Sequence, residues 1–317
     1  EPAYCWEPQD GPQGKAIAAA SWCEELFFGG AVFGGKTDFL LGDFAMDIDQ
    51  GSIWKGALFR QTVPEFEDLI ERSHEIYPLL GGRWFEGKKT WRFPTEERGE
   101  AILRMRHLED ENDFQKYMGW SLSWIGFDEL PNWASMTAYH MLKSRLRGPA
   151  QRKRMRSTGN PGGLSHLEIK EYFRINKHKG GYRPYLDPVS KMHRMFIPSR
   201  VLDNKIGMAS DPGYIDRLRG MGDPELVKMW EEGDWDSIKG AYFSMFQAKD
   251  CEVEPFEIPE GWSIFTGGDY GEENPCWWGV VAVDFDDTVW VVDEYFRAGA
   301  GGRDHARGVR ALVDHCP

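Results

Sequence analysis

The apolar positions of this chain fall into short runs that switch between two periods. Glu25-Leu-Phe-Phe28 is a run that can enter a glycine-rich segment as a strand, and the stretch from Asp38 to Asp47 then places Phe39, Leu40, Leu41 and Phe44 at helical spacing. Trp54–Gln61 reads as a second buried strand, and Pro64–Tyr77 as an amphipathic helix with Phe66, Leu69, Ile70 and Ile76 on one face. Trp84–Phe93 has the pattern of a β-hairpin, Ala101–Leu108 that of a short strand or helix, and Ser123–Phe127 that of a strong strand ending in Asp128-Glu129. Arg156–Gly163 reads as a strand end followed by a turn. Strands alternating with helices predict an α/β fold with a mostly parallel sheet.

The remaining segments frame this region. Residues 1–14 are rich in Pro and Gly and predict an extended or looped lead, with Gln13 just ahead of the first helix. Asp203–Asp236 looks helical, and Gly233-Asp-Trp235 should close it. Cys251–Gly261, with four Glu and two Pro, reads as a linker. Beyond it the pattern changes to three strand-like runs, Ser263–Gly268, Trp277–Phe285 and Val289–Tyr295, joined by turns at Glu272–Pro275 and Asp286-Asp287. Arg303–His315 should be a helix. The expected domains are 1–250, whose last fifty or so residues form a helical linker region, and 251–317.

Composition narrows the class. A chain of 317 residues can bury a sizeable core and suggests two domains. Its five cysteines are scattered without a C-x-x-C pair, which fits a reducing compartment and argues against structural zinc or a disulfide framework. No apolar run approaches a membrane span and no signal peptide opens the chain, so a cytoplasmic location is expected. The net charge of −13 argues against non-specific coating of nucleic acid, but leaves room for a local DNA-binding face. Glu1 in place of an initiating Met, and the end at Pro317, suggest a fragment.

The sharpest chemical signal is Gly30-Ala-Val-Phe-Gly34-Gly35-Lys36-Thr37, which satisfies the phosphate-loop template G-x-x-x-x-G-K-[ST] at every fixed position. A strand, a glycine loop and a helix N-terminus together make an anion site: loop N–H groups converge on phosphate oxygens and the helix dipole adds positive potential. Lys36 would reach the β- and γ-phosphates of ATP and the Thr37 hydroxyl would ligate Mg²⁺. A buried strand that delivers Asp128-Glu129 at its tip supplies the second half of such a site. Asp128 would hold the metal, through water, and Glu129 would orient and polarise the attacking water. Ser157-Thr158-Gly159-Asn160, at the end of the next strand, could contact the γ-phosphate and report its loss. The basic run Lys143, Arg145, Arg147, Arg152, Lys153, Arg154 and Arg156 is open to three readings: a solvated face, an arginine supplied to a neighbouring subunit, or contact with a phosphate backbone. Asp269, in Gly267-Gly-Asp-Tyr-Gly271, follows a strand and precedes two antiparallel strands and a helix. That is the opening order of an RNase H-like nuclease, in which carboxylates clamp two metal ions. Asp293 and Glu294 end the third run, where they could approach the metals, but they read first as structural or surface groups.

Taken in order, these segments resemble the large terminase subunit of tailed bacteriophages, the DNA-packaging ATPase–nuclease. The likeness is carried by Gly11-Pro-Gln13 ahead of Phe28–Thr37, Leu58-Phe-Arg-Gln-Thr62, Ile125-Gly-Phe-Asp-Glu129, Ser157–Gly163, and Gly233-Asp-Trp235 followed by Gly268-Asp-Tyr-Gly271. The resemblance implies an ASCE-type P-loop ATPase in which Gln13 reads adenine, Lys36, Thr37, Asp128 and Glu129 run ATP hydrolysis, and Ser157–Asn160 couple it to movement. It implies that Asp269 is the first Mg²⁺ or Mn²⁺ ligand of an endonuclease whose further carboxylates lie beyond Pro317, so that domain is expected incomplete here. It also implies double-stranded DNA, a portal protein and a small terminase subunit as partners, a homo-oligomeric ring on the procapsid, and residence in the host cytoplasm rather than the mature virion. The competing readings are a helicase-like P-loop ATPase and a nucleotide-dependent switch, both without nuclease activity.

Overall fold

Nine strands form one sheet in the order β3-β4-β5-β2-β6-β7-β1-β9-β8. They are β1 (Glu25–Gly30), β2 (Lys55–Arg60), β3 (Arg83–Phe85), β4 (Thr90–Pro94), β5 (Glu100–His107), β6 (Trp124–Phe127), β7 (Arg154–Gly159), β8 (Tyr185–Leu186) and β9 (His193–Ser199). The six from β5 to β9 in that spatial order run parallel, while β3, β4 and β8 add antiparallel pairings at the two edges. The computed structural model describes residues 6–62, 64–109, 111–175, 182–236, 251, 253–271, 276–297 and 301–314. The chain divides into two units, Glu1–Ser244 and Met245–Pro317.

Strand alternation explains the unbroken apolar runs, because a strand covered on both faces has no polar side. Leu26 and Phe28 of β1 enter one core with Phe39, Leu40, Phe44, Trp54 and Trp124. Phe27, between them, enters the opposite core with Phe59, Ile125, Phe127, Met155 and Trp235. The first face is covered by α1 (Pro12–Ala18), α2 (Lys36–Ala45) and α3 (Pro64–Ile76), and the second by α4 (Thr137–Lys143) and α5 (His166–Tyr172). Among the described residues no helix is long and apolar enough to cross a membrane.

Several expectations are revised. The lead is not looped throughout: Pro12 starts α1, where its fixed φ suits the first helical position, so Gln13 lies inside the helix rather than ahead of it. Ala101–Leu108 resolves as strand, since β5 alternates buried and half-buried positions. β9 and β8 have no counterpart in the sequence pattern. The helical region is three short helices, α6 (Lys205–Ser210), α7 (Tyr214–Arg219) and α8 (Pro224–Glu232), broken at the Pro- and Gly-containing segments 211–213 and 220–223. In the second unit β10 (Ser263–Asp269), β11 (Cys276–Val283) and β12 (Val289–Arg297) form an antiparallel sheet followed by α9 (Gly302–Asp314). The turn expected at 272–275 lies outside the described residues.

Candidate nucleotide site

The parallel strands β6, β7, β1 and β9 are neighbours, so their C-terminal ends bring the motifs to one edge of the sheet, where α/β folds bind ligands. β1 ends at Gly30 and α2 begins at Lys36. The loop between them passes through left-handed backbone at Phe33 (φ 61°) and Gly35 (φ 68°). Gly35 adopts this freely, whereas Phe33 is held there by the Tyr214 ring stacked on it at 4.6 Å. Val32 N donates to Trp230 O of α8 at 3.0 Å, and Ala31 N to Ser199 O of β9 at 2.8 Å. Gly233, the left-handed cap of α8, sits so close beneath the loop that a methyl group there would lie 2.7 Å from Ala31 N. Only glycine fits at that approach.

A cavity of about 770 Å³ opens over the loop, lined by Gln13, Lys36, Thr37, Glu129 and Asn160 among others. Lys36 is buried and its Nζ donates to Ala31 O at 2.6 Å. Burial pushes its pKa down, opposed by the Glu129 and Asp128 carboxylates. Asp128 is fully buried, accepts the Thr158 hydroxyl at 2.5 Å through Oδ1, and pairs with Arg60 Nε at 3.4 Å through Oδ2. Glu129 follows in left-handed backbone (φ 58°), a conformation that costs a non-glycine residue about 1 kcal/mol and turns the chain sharply after β6. Its Oε2 accepts Asn160 Nδ2 at 3.3 Å. Burial raises its pKa, with Lys36 opposing and Asp128 adding to the rise.

The coupling segment divides by strand parity. Thr158 and Asn160 reach Asp128 and Glu129, and Glu129 N also donates to Thr158 Oγ1 at 3.3 Å. Ser157 points through the other face and donates to Leu26 O at 3.4 Å, so it makes no contact with the cavity. Gly159 packs on Pro131, with no room for a side chain. Gln13 lines the cavity with both ends of its amide engaged: Oε1 accepts Gln9 N at 2.7 Å and Nε2 donates to Gly35 O at 2.9 Å. Sequence reasoning passed over Gln9, Arg72 and Asn204 in this cavity, and over Arg60 as the partner of Asp128. Arg60 was findable, because β2 ends beside β6. Asn204 and Arg72 come from distant elements and leave no local signal.

The oxygen set suits magnesium. Asp128 Oδ2 and Asn160 Oδ1 are buried without a hydrogen bond, and Thr37 offers a hydroxyl on the cavity wall. Mg²⁺ prefers one or two such hard oxygens plus water and phosphate.

Two other expectations change. Arg154 and Arg156 of the basic run are interior, packed from β7 onto Asp43 of α2, and are unavailable to a neighbouring subunit or to DNA. Lys143 is bound to the buried Glu25. Asp269 stands exposed at the end of β10, while Glu294 and Asp293 lie within β12, two strands away, and not at its end. The described carboxylates therefore do not make a two-metal site by themselves.

His166 ties the coupling segment to the end of the helical region. Gly162 N donates to its Nδ1 at 2.9 Å and its Nε2 lies 3.1 Å from Trp235 O, which requires a neutral ring with the proton on Nε2. Burial pushes its pKa below 6.5, although the bond to Trp235 works the other way. A base with a lowered folded pKa gives stability that is present above the ordinary value and lost as pH falls below it. The urea midpoint should therefore drop as pH is lowered through about 6.5, by less in His166→Asn; equal drops in both proteins would contradict this.

No protein-family model and no curated protein sequence matches the chain. Among solved structures, the large terminase from a thermophilic bacteriophage aligns with a TM-score of 0.56 at 15% identity, over 98% of this chain and 75% of that one. The same protein in complex with ADP aligns at 0.56 and 16% identity over the same shares, 98% and 75%. Its complex with ATP-gamma-S aligns at 0.50 and 15% identity, again over 98% and 75%. At such identities the likeness is one of architecture: this chain has the fold of a phage large terminase.

Proposed function

We propose that the chain is an ATP hydrolase that powers the packaging of double-stranded viral DNA. The observation that supports it most is the convergence of Lys36, Thr37, Glu129 and Asn160 on one cavity, with Asp128 directly behind. A nucleotide carrier needs the loop and the lysine; the half-buried Glu129 carboxylate beside them adds a base for water. In this reading the loop amides and Lys36 hold the β- and γ-phosphates, and Glu129 orients a water for in-line attack on the γ-phosphorus and accepts its proton. The P–O bond to the leaving ADP breaks as the new one forms. Thr37 and Asp128 would hold Mg²⁺, which would supply charge neutralisation when bound. Asn160 and Thr158, bonded to the two acidic residues, are placed to register the change and pass it along β7.

The ADP and ATP-gamma-S complexes of the thermophilic-phage protein favour nucleotide binding by this chain. DNA cutting by a domain that begins at residue 251, with Asp269 as one ligand of Mg²⁺ or Mn²⁺, belongs to the same proposal and rests on the sequence resemblance. So do a portal protein and a small subunit as partners, the homo-oligomeric ring, and the host cytoplasm as location. Purified protein should hydrolyse ATP with Mg²⁺, and Lys36→Ala should lower turnover roughly 10²–10³-fold. A chain that neither binds nor hydrolyses ATP, with or without duplex DNA, would sink the motor reading. Manganese-dependent plasmid cutting that survives Asp269→Ala would sink the nuclease assignment alone.

A further inference from the structure

The cavity over the phosphate loop is lined by two cationic side chains among the described residues, Lys36 and Arg72. Lys36 belongs to the loop. Arg72 comes from the other side, from α3, and no motif singles it out. Its guanidinium is held as a fork: Nε donates to Asp38 Oδ1 and Nη2 to Asp38 Oδ2, each at 2.7 Å, while Nη1 donates to Glu75. Asp38 follows Thr37 directly and lies in the first turn of α2, so the fork is parked one residue from the hydroxyl proposed to ligate Mg²⁺.

Three physical points bear on what this pair does. A guanidinium fork fits a phosphate as well as it fits a carboxylate, so a bound phosphate competes with Asp38 for the same donors. Arg72 is half-exposed (39%) and Asp38 a quarter exposed, so the pair can be remade without opening a core. The cavity also carries Glu7, Asp38 and Glu129, and a magnesium-bound triphosphate remains anionic, so one lysine leaves the charge poorly matched.

Resting on the ATPase reading above, we propose that Arg72 is a phosphate-contacting residue acting within its own chain, stored on Asp38 and transferred to the terminal phosphate of bound ATP. Lacking that phosphate, ADP leaves Arg72 on Asp38. The pair therefore discriminates triphosphate from diphosphate. The plainer role, a clamp between α2 and α3, makes a different prediction, because a clamp is lost equally when either partner is removed.

Binding of fluorescent ATP and ADP analogues to wild type, Arg72→Ala and Asp38→Asn separates the two. Arg72→Ala should weaken ATP about tenfold or more and ADP by less than about threefold. Asp38→Asn, which releases the fork, should leave ATP binding as tight or tighter. Equal losses for ATP and ADP in Arg72→Ala, no loss at all, or an Asp38→Asn that copies Arg72→Ala would each overturn the assignment. A wild-type chain that binds neither nucleotide would remove the ATPase reading and this inference with it.

Discussion

Replacing Asp43 with Ala should destabilise the first unit by about 3–5 kcal/mol, the range for removing one partner of a buried charge network. Asp43 is fully buried in α2. Its Oδ1 lies 3.1 Å from Arg154 Nε and accepts Trp124 Nε1 at 2.7 Å, and its Oδ2 accepts Arg156 Nε at 2.9 Å. Burial alone would raise its pKa, but Arg156 and Arg154 outweigh burial and hold it below its ordinary value. Removing the carboxylate strands two guanidinium groups in the core, both at most 2% exposed. Arg154 keeps Asp47 at 2.5 Å as a second partner, and among the described residues Arg156 keeps backbone carbonyls alone. Arg156 therefore bears more of the loss. Replacing all three charges by apolar residues of similar volume should cost far less, because nothing is then left unpaired. Urea titrations with unchanged slope would measure both, and an Asp43→Ala loss below about 1 kcal/mol would show that water reaches the arginines. The same carboxylate joins the roots of α2, β6 and β7, whose other ends carry Lys36, Asp128 and Asn160, so the network also fixes the spacing of the site.

That network marks the boundary of what the sequence discloses. The phosphate loop, the strand ending in Asp128-Glu129 and the turn at Asn160 are legible because each is a local pattern: residue types at fixed offsets on one strand and its loop. Arg154 and Arg156 look like part of a solvated basic run, since the carboxylate that neutralises them is more than a hundred residues away in sequence. β9 is obscured for a related reason. Its His193-Arg194 start and Pro198 break the apolar run, yet Arg194 is buried against Asp187 and Glu25, and Pro198 falls near the strand end, where a missing N–H is tolerated. Ser157 and Thr158 illustrate the finer limit. Both belong to one polar tip, and only the parity of β7 decides which of them reaches Asp128. Motif spacing locates the site, and pairings across the fold decide which side chains serve it.

The second large effect concerns turnover. Glu129→Gln should lower kcat by about 10²–10⁴-fold while ATP binding is retained or tightened, the range for losing a positioned general base. The substitution preserves shape, and a glutamine oxygen can still accept Asn160 Nδ2, now at 3.3 Å from Glu129 Oε2. It removes the basic oxygen and the negative charge that faces Lys36 and the incoming phosphates. Loss of that charge favours the anionic magnesium-bound triphosphate, and for this reason KM should not rise with the fall in kcat. A structural role for Glu129 would behave differently. The residue holds a left-handed backbone that glutamine tolerates no better, so the melting temperature should be unchanged or slightly altered in either case, and only a chemical role separates kcat from KM. Steady-state hydrolysis alongside analogue binding reads the two quantities independently. Turnover within about threefold of wild type would move water activation away from Glu129. With Thr158 and Asn160 still bonded to the acidic pair, another group of the cavity would then activate the water, and Glu129 would serve only to register the bound nucleotide.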